Sequence, residues 1–326
     1  MRLHVVPLAA VAALMSSVAC AESVKITNIG HGYYAGPLYV AEKEKIFEKY
    51  GLEPEISIVQ GGSLALQSVI AKQADVGVLS YEHVLTAAVQ GKRVVSFFNI
   101  ANRPVNNVIV DNDLAAGASK LTIEEKVRHL KGTKVAFPSA NGSGEKMLKV
   151  LAGKYGLQLP GDISTVYLGS EPGSYVAAFQ RNLVQAALPV EPAGVMVQKA
   201  GAGTIYLNLM NGEVPEFRDL IFMTLAASPD TIKEKPELLR KVAKVFSEAA
   251  RILKEDPARG KAVLAKEYPK MSAEANSEVY DAVSRTWTVD GLMTEEQARA
   301  TFSYLQPEGP NKVEFAATFT NEFLPK

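Results

Sequence analysis

A turn rich in glycine and serine, between a predicted strand and a predicted helix, is the stretch best suited to hold a ligand. It lies within residues 133–151, TKVAFPSANGSGEKMLKVL, and its polar members are Ser139, Asn141, Gly142 and Ser143. The apolar run before the proline is typical of a buried strand, and the apolar spacing after the last glycine is typical of a helix. The first amides of that helix lack partners and lie at the positive end of its dipole. We therefore predict that the turn binds an anion or another hydrogen-bond acceptor, although a capped connection that binds nothing fits the same residues.

Other polar and aromatic side chains follow the remaining predicted strands. In an open parallel sheet, ligands bind beyond the carboxyl ends of the strands, where helix N-termini converge. The candidates in the first half of the chain are His31, Tyr33, Tyr34, Ser63, Ser80, Tyr81 and Glu82, and those in the second half are Ser139, Asn141, Gly142, Ser143, Glu171 and Glu191. None of them is a lysine or an arginine, so a bound anion would rely on amides, hydroxyls and helix dipoles.

Several of these candidates also fit a purely structural role. Glu191 precedes a proline, so its carboxylate can accept hydrogen bonds from an amino or amidine-like group of a ligand, or can occupy a helix N-terminus. Glu82 has the same two interpretations. The tyrosines could flank a planar ligand or pack in the core, and His31 could contact a ligand or form a structural hydrogen bond. His83 and His129 have no partners at metal-ligand spacing, so we predict no metal site.

Composition describes an ordinary globular protein. The chain has 326 residues, of which 47% are hydrophobic, and Lys plus Arg and Asp plus Glu both total 35. This length can bury a large core and accommodate two lobes. The balanced charge gives no basic excess of the kind that nucleic-acid binding requires, so we predict no nucleic-acid partner.

The first 21 residues have the pattern of a secretory signal peptide. Arg2 precedes a short apolar run, and Ala19, Cys20 and Ala21 form a small-residue cleavage site. The run is too short to span a bilayer, so export is predicted to end in solution. A lipoprotein site at Cys20 is the alternative, but Ser17 stands where that pattern prefers a branched aliphatic residue. Cleavage after Ala21 would leave a chain without cysteine.

The chain contains an internal repeat of about 105–110 residues. KYGL at residues 49–52 leads into an apolar strand pattern, and KYGL at residues 154–157 leads into another. Each copy reads as a β-α-β-α-β unit, so we predict two lobes, each a parallel sheet covered by helices. The predicted division is 22–108 with 220–326 for lobe one and 109–219 for lobe two. Residues 106–110 and 220–225 are the predicted hinge strands.

The segments after the second hinge strand have helical apolar spacing. The predicted helices are 236–254, 258–267, 273–285, 295–305 and 315–323. We expect this tail to pack on lobe one.

With the repeat and the strand ends identified, the chain resembles the periplasmic solute-binding proteins of ABC importers. The resemblance is to the group that binds nitrate, aliphatic sulfonates, taurine and thiamine pyrimidine precursors. It rests on the glycines of residues 32–36, IFEKYGL at 46–52, QADVG at 73–77, KGTKVA at 131–136 and VEP at 190–192. These motifs span most of residues 24–205.

The resemblance implies an α/β fold with two lobes, a clamshell of the type II periplasmic binding protein kind with two crossover strands. It further implies a non-enzymatic protein without a cofactor, which captures a small solute and delivers it to an ABC transporter permease in the inner membrane. We also predict a monomer. The family often has Trp before the Glu-Pro pair, whereas this chain has Val190 in that position, so the resemblance does not imply an aromatic wall there.

Two enzyme classes are the alternatives. Gly30 to Ala35 fits the glycine-rich fingerprint of a dinucleotide-dependent oxidoreductase, but Gln60 and Gly61 stand where an acidic residue should hold the ribose. The resembled group also includes pyrimidine-precursor synthases, which use a cysteine-bearing iron motif that the mature chain would lack.

Overall fold

The computed structural model describes residues 21–59, 61–305, 307 and 309–326. The predicted signal peptide therefore lies outside the described residues except for Ala21, as do Cys20 and Gln60.

The strands of the described chain form two five-stranded sheets. They are β1 (Glu22–Asn28), β2 (Leu52–Ile58), β3 (Val76–Ser80), β4 (Val95–Ala101), β5 (Val108–Val110), β6 (Lys134–Phe137), β7 (Ser164–Tyr167), β8 (Ala186–Ala187), β9 (Thr204–Leu207) and β10 (Met223–Ala227). The strand orders are β2-β1-β3-β10-β4 and β7-β6-β8-β5-β9. The first lobe below is built on the first sheet, and the second lobe on the second.

Helices cover both sheets. They are α1 (Gly36–Lys43), α2 (Ile46–Lys49), α3 (Gly62–Ile70), α4 (Tyr81–Val89), α5 (Asn112–Ala115), α6 (Ile123–Arg128), α7 (Ser143–Lys154), α8 (Pro172–Gln180), α9 (Ala193–Lys199), α10 (Pro229–Glu234), α11 (Pro236–Glu255), α12 (Pro257–Glu267), α13 (Ala273–Val283) and α14 (Glu295–Leu305). Among these helices, none is both long and apolar enough to cross a bilayer.

The internal repeat is visible in the topology, and the predicted two-lobed α/β fold is confirmed. The two sheets have the same order when β2, β1, β3, β10 and β4 are matched with β7, β6, β8, β5 and β9. The fourth strand of each sheet is formed by a segment that has just crossed from the other lobe. β5 enters the second sheet directly after β4 of the first, and β10 enters the first sheet directly after β9 of the second. Two crossover strands therefore join the lobes.

The three strands of each predicted β-α-β-α-β unit are parallel, as expected, but each complete sheet is mixed. β10 runs antiparallel to β3 and β4, and β5 runs antiparallel to β8 and β9. A strand that enters a sheet directly from the other lobe has no covering helix before it, so nothing requires it to be parallel. β4 and β9, the edge strands beside the crossovers, were absent from the prediction.

Two helical segments have irregular ends. Lys45 adopts a left-handed conformation with φ of 55° and separates α1 from α2. The helix expected over residues 315–323 is reduced to one 3-10 turn, Phe315–Ala317. The residues after this turn pair with β4, because Phe319 forms an isolated parallel β-bridge with Ser96.

The C-terminal helices pack on the first lobe as expected and also reach the second. α11 is amphipathic and buries Leu239, Val242 and Phe246 at helical spacing, where it lies against α1 and β4. α13 lies against α9, and α14 lies against α7. The tail therefore contacts both lobes.

Candidate functional site

A cavity of about 240 Å³ lies between the two lobes, at the carboxyl ends of their parallel strands. This volume is just below the ~300–1,000 Å³ of sites for drug-sized ligands, so the cavity suits a small molecule. The first lobe contributes the loop after β1, the start of α3 and the end of β3. The second lobe contributes the loop after β6 and the start of α7. Segments next to the crossover strands complete the wall.

Eight of the thirteen predicted site residues line this cavity. They are His31, Tyr34, Ser63, Ser80, Ser139, Asn141, Gly142 and Ser143. The glycine- and serine-rich turn is stabilised locally, because Asn141 adopts a left-handed conformation and its main-chain N–H donates to Oε2 of Glu145 at 2.6 Å. That geometry directs the start of α7 toward the cavity.

Tyr33 and Tyr81, which the sequence placed at strand ends, are packed in the core away from the cavity. The Tyr33 hydroxyl donates to Asn276, and its ring stacks on Tyr268 with centroids 4.5 Å apart. The Tyr81 hydroxyl pairs with that of Thr318. Burial raises the pKa of both tyrosine hydroxyls. Both side chains turn toward partners in the C-terminal part of the chain.

Glu171 and Glu191 occupy equivalent places before a proline, and neither lines the cavity. Glu171 is exposed at the start of α8. Glu191 is 1% exposed, and its Oε2 accepts a hydrogen bond from the N–H of Val195 in the first turn of α9, at 3.0 Å. Burial raises the pKa of the Glu191 carboxyl to about 7. The structure thus places this carboxylate at a helix N-terminus, the second of its two interpretations.

Glu82 lies beside the cavity wall and faces the other lobe. It is 3% exposed, and its Oε1 lies 3.6 Å from Nζ of Lys146 on α7. Neither carboxylate oxygen has a hydrogen-bond partner among the described residues. Nε2 of His83, on the same helix as Glu82, lies 3.5 Å from the same oxygen. Lys146 is the partner that comes from the other lobe, so this ion pair crosses the interface between the lobes.

Two further contacts join the lobes at the cavity. The hydroxyls of Ser80 and Ser143 lie 2.9 Å apart. The N–H of Tyr33 donates to the main-chain oxygen of Glu191 at 3.0 Å. The lobes are therefore in direct contact around the cavity.

His83 also lines the cavity, although it was not among the predicted site residues. Its Nδ1 lies 3.2 Å from the main-chain oxygen of Ser80, which can only accept, so Nδ1 carries the hydrogen. Burial lowers the pKa of the His83 ring, although the Glu82 carboxylate, 3.5 Å from Nε2, acts in the opposite direction. A Cβ at residue 62 would lie 2.1 Å from Cε1 of His83, so the glycine there admits the ring to the wall.

Sequence reasoning also missed the part of the wall supplied by the crossovers. Asn106 lies there, and Ser170 adds another hydroxyl before α8. The apolar surface comes from Ile29, Val105, Leu188, Val190, Phe222 and Met223. One signal in the sequence pointed to these residues. Residues 106–110 and 220–225 were expected at the hinge, and a segment that joins two lobes must lie at the border of the cleft between them.

The positive electrostatic contribution to the cavity comes from dipoles and not from cationic side chains, and the Glu145 carboxylate is a negative group in the lining. Among the described residues, the lining contains no lysine or arginine. The helices α3, α4 and α7 begin at or beside lining residues, and α8 begins two residues after Ser170. Their unpaired amides favour an acceptor or an anion. Within the described chain, no three His, Cys, Asp or Glu side chains come together as a metal site requires.

Comparison with known proteins extends this description. The chain is 22% identical over 245 residues to YtlA of Bacillus subtilis (strain 168), a candidate binding protein, and the match covers 69% of this chain and 64% of YtlA. A solved structure from Bordetella bronchiseptica RB50 superposes with a TM-score of 0.79, at 22% identity, over 92% of this chain and 95% of that one.

The periplasmic aliphatic sulphonate binding protein SsuA of Escherichia coli has the same fold. It superposes with a TM-score of 0.68, at 20% identity, over 91% of each chain. Residues 33–260, more than half of the sequence, match the family described as NMT1/THI5 like. The resemblance inferred from the motifs is thereby confirmed, and the chain belongs to the NMT1/THI5-like family.

Proposed function

We propose that this protein is the extracytoplasmic substrate-binding component of an ABC importer. It would capture a small organic solute, sulfonate-, nitrate- or pyrimidine-like, and deliver it to a permease in the inner membrane. The observation that carries the proposal is the cavity between two facing lobes, lined by helix N-termini from both. The family match and the sulphonate-binding neighbour support it.

The remaining parts of the proposal follow from the sequence. The pattern of the first 21 residues supports export to the periplasm, and the balanced charge supports a protein that acts without nucleic acid. We propose that it acts as a monomer, without a cofactor and without catalysing a reaction. The division into 22–108 with 220–326 and 109–219 is kept as the proposed pair of lobes.

Isothermal titration calorimetry against a panel of solutes tests this function. The panel contains nitrate, methanesulfonate, longer alkanesulfonates, taurine, aminopyrimidines and aromatic acids. We expect one chemical class to bind, with a decrease in the radius of gyration in small-angle scattering as the lobes close. A protein that binds no member of the panel, and whose scattering no member alters, would contradict the proposal.

Ser143→Ala is expected to weaken binding of the solute so identified by about fivefold. The change removes a hydroxyl from the cavity wall and the 2.9 Å hydrogen bond to Ser80 of the other lobe. A neutral hydrogen bond contributes about 1 kcal/mol net, which is a factor of about five in affinity. Calorimetry measures the effect.

Ser68→Ala is the matched control, because the Ser68 hydroxyl bonds within α3, away from the cavity. It should bind like the wild type. If the wild type, Ser143→Ala and Ser68→Ala bind the solute with equal affinity, Ser143 does not contribute to the binding site.

A further inference from the structure

His31 lies in the cavity wall, where a carboxylate from the C-terminal part of the chain holds its ring. Nε2 of His31 lies 2.7 Å from Oε1 of Glu267, the last residue of α12. A carboxylate oxygen can only accept, so Nε2 carries a hydrogen. The ring also packs against Tyr39 and Tyr268, with centroids 5.4 and 5.1 Å away. These contacts fix the orientation of the imidazole at the wall.

Nδ1, the other nitrogen of the His31 ring, is unpaired and accessible. It has no hydrogen-bond partner in the described part of the chain, and it is not among the unpaired atoms that are fully buried. The His31 side chain is 36% exposed, and it lines the cavity. Nδ1 is an acceptor when the ring is neutral and a donor when the ring is protonated. An anion in the cavity would therefore meet a donor here only if His31 takes up a proton.

The charged groups around His31 suit such a proton uptake. Oε2 of Glu267 lies 3.7 Å from Nζ of Lys43 on α1, so these two charges cancel while the ring is neutral. With the ring protonated, the three groups carry a net positive charge. Burial raises the pKa of the Tyr39 and Tyr268 hydroxyls, so both phenols stay uncharged. The protonated ring would thus supply the positive side chain that the lining otherwise lacks over the described residues.

Most other polar groups that the wall presents are donors. The helices α3 and α7 begin at lining residues, and their first N–H groups have no partners within the helix. Asn106 presents its N–H₂ group, because its amide oxygen is fully buried. The serine hydroxyls can donate as well. Such a wall favours a solute rich in acceptors, as an anion is.

The other titratable side chains of the described lining are less suited to take up a proton. The Glu145 carboxylate already accepts two hydrogen bonds within its own lobe, and its charge opposes an anion. An anion here therefore needs a positive group elsewhere in the wall. Burial raises the pKa of the Tyr34 hydroxyl and lowers that of the His83 ring, so the first stays uncharged and the second resists protonation. His31 is the remaining group.

We infer that His31 is a specificity-determining residue, which takes up a proton as the solute binds, and that this solute is an anion paired with Nδ1. The inference rests on the proposed function and narrows its cargo. It favours sulfonates, nitrate or carboxylates over neutral pyrimidines.

Calorimetry with matched pairs of probes tests the charge of the solute. The pairs are methanesulfonate with dimethyl sulfone, nitrate with nitromethane, and benzoate with benzamide, each an anion beside a neutral compound of similar shape. If the solute panel identifies a longer alkanesulfonate, the alkyl methyl sulfone is its neutral analogue. At about pH 6 we expect an anion to bind at least about tenfold more tightly than its analogue, because hydrogen bonds between charged groups are the stronger ones.

Proton uptake is measured from the dependence of the binding enthalpy on the ionisation enthalpy of the buffer. We expect the wild type to take up a fraction of one proton with the bound anion at about pH 7. Its affinity should be about fivefold higher at pH 6 than at pH 8, because protons that bind with the solute favour the complex. The probe anions keep their charge over this range, so the change arises from the protein.

His31→Gln keeps a side chain that can hydrogen-bond but cannot take up a proton. It should show no proton uptake, and its affinities at pH 6 and pH 8 should agree within about twofold. His129→Gln, exposed at the end of α6, is the matched control and should behave like the wild type. NMR signals of the His31 ring in the wild type give a second measurement, and they should move toward the protonated form when the anion is added.

The failure modes are distinct. A solute that binds only in its neutral form, an anion that binds without proton uptake, or uptake that persists in His31→Gln would overturn the role of His31. His31 signals that stay unchanged on addition of a bound anion would do the same. Each of these results leaves the proposed function intact. If no probe and no member of the solute panel binds, the proposed function fails, and this inference fails with it.

Discussion

Replacement of Lys146 by methionine is expected to weaken solute binding by up to about 30-fold. Lys146 lies 3.6 Å from the buried carboxylate of Glu82 on the other lobe. Without the Lys146 ammonium, closed lobes would bury the Glu82 carboxylate without a cationic partner from the other lobe. Separated lobes would let water reach that carboxylate, so the variant should favour the open form. Removing one partner of a buried interfacial charge pair costs about 2–5 kcal/mol. We take the lower end, which corresponds to that factor, because the Lys146 side chain is 27% exposed.

Calorimetry and small-angle scattering measure the two consequences, the affinity and the population of closed protein. Glu82→Gln removes the charge that requires compensation, so Lys146→Met should have a much smaller effect in the Glu82→Gln background. Lys149→Met, on the exposed face of the same helix, is the matched control and should bind like the wild type. An equal effect of Lys146→Met in both backgrounds would show that the ion pair does not control closure.

The same ion pair shows how far the sequence could predict the site. Glu82 was a candidate because it follows β3, and its strand-end position is a local property that the apolar pattern reveals. Its partner is 64 residues away on the second lobe, and Lys146 reads from sequence as one more charge on an amphipathic helix. The pairing depends on how the lobes meet, and no local pattern encodes that.

Local chemistry explains why the turn in the cavity wall was predictable. Ser139, Asn141, Gly142 and Ser143 form a turn whose residue types dictate its own conformation, and the topological rule for parallel sheets then assigns its place. The repeated KYGL motif likewise predicted two similar lobes. The mixed sheets were missed because a short apolar run does not specify the direction of a strand.

Tertiary packing explains the remaining differences. Tyr33 and Tyr81 lie at strand ends, but Asn276 and Thr318, more than 230 residues later, draw them into the core. His83 reaches the cavity because Gly62 has no side chain. Asn106 belongs to a crossover whose environment exists only when both lobes are assembled. In each case the decisive neighbour is distant in sequence.

Glu191→Gln is expected to stabilise the protein at alkaline pH and to have little effect at acidic pH. Burial raises the pKa of the Glu191 carboxyl from 4.5 to about 7. Between pH 4.5 and about 7, the carboxyl therefore holds a proton in the folded protein and has lost it in the unfolded chain. The stability that this proton confers is fully present below about pH 4.5 and is lost as the pH rises through about 7. A shift of this size corresponds to about 3 kcal/mol.

Urea unfolding of both proteins at several pH values between 5 and 8 measures this effect. The difference in the free energy of unfolding should grow in favour of the variant by about 2.5 kcal/mol from the lowest to the highest pH, because glutamine keeps an acceptor for the N–H of Val195 and never ionises. Glu171→Gln is the matched control, since Glu171 stands before Pro172 as Glu191 stands before Pro192, but is exposed. A pH-independent difference for Glu191→Gln would mean that the buried carboxylate is stabilised in its charged form by the N-terminus of α9, and that its burial has no influence on the pH range in which the two lobes stay folded.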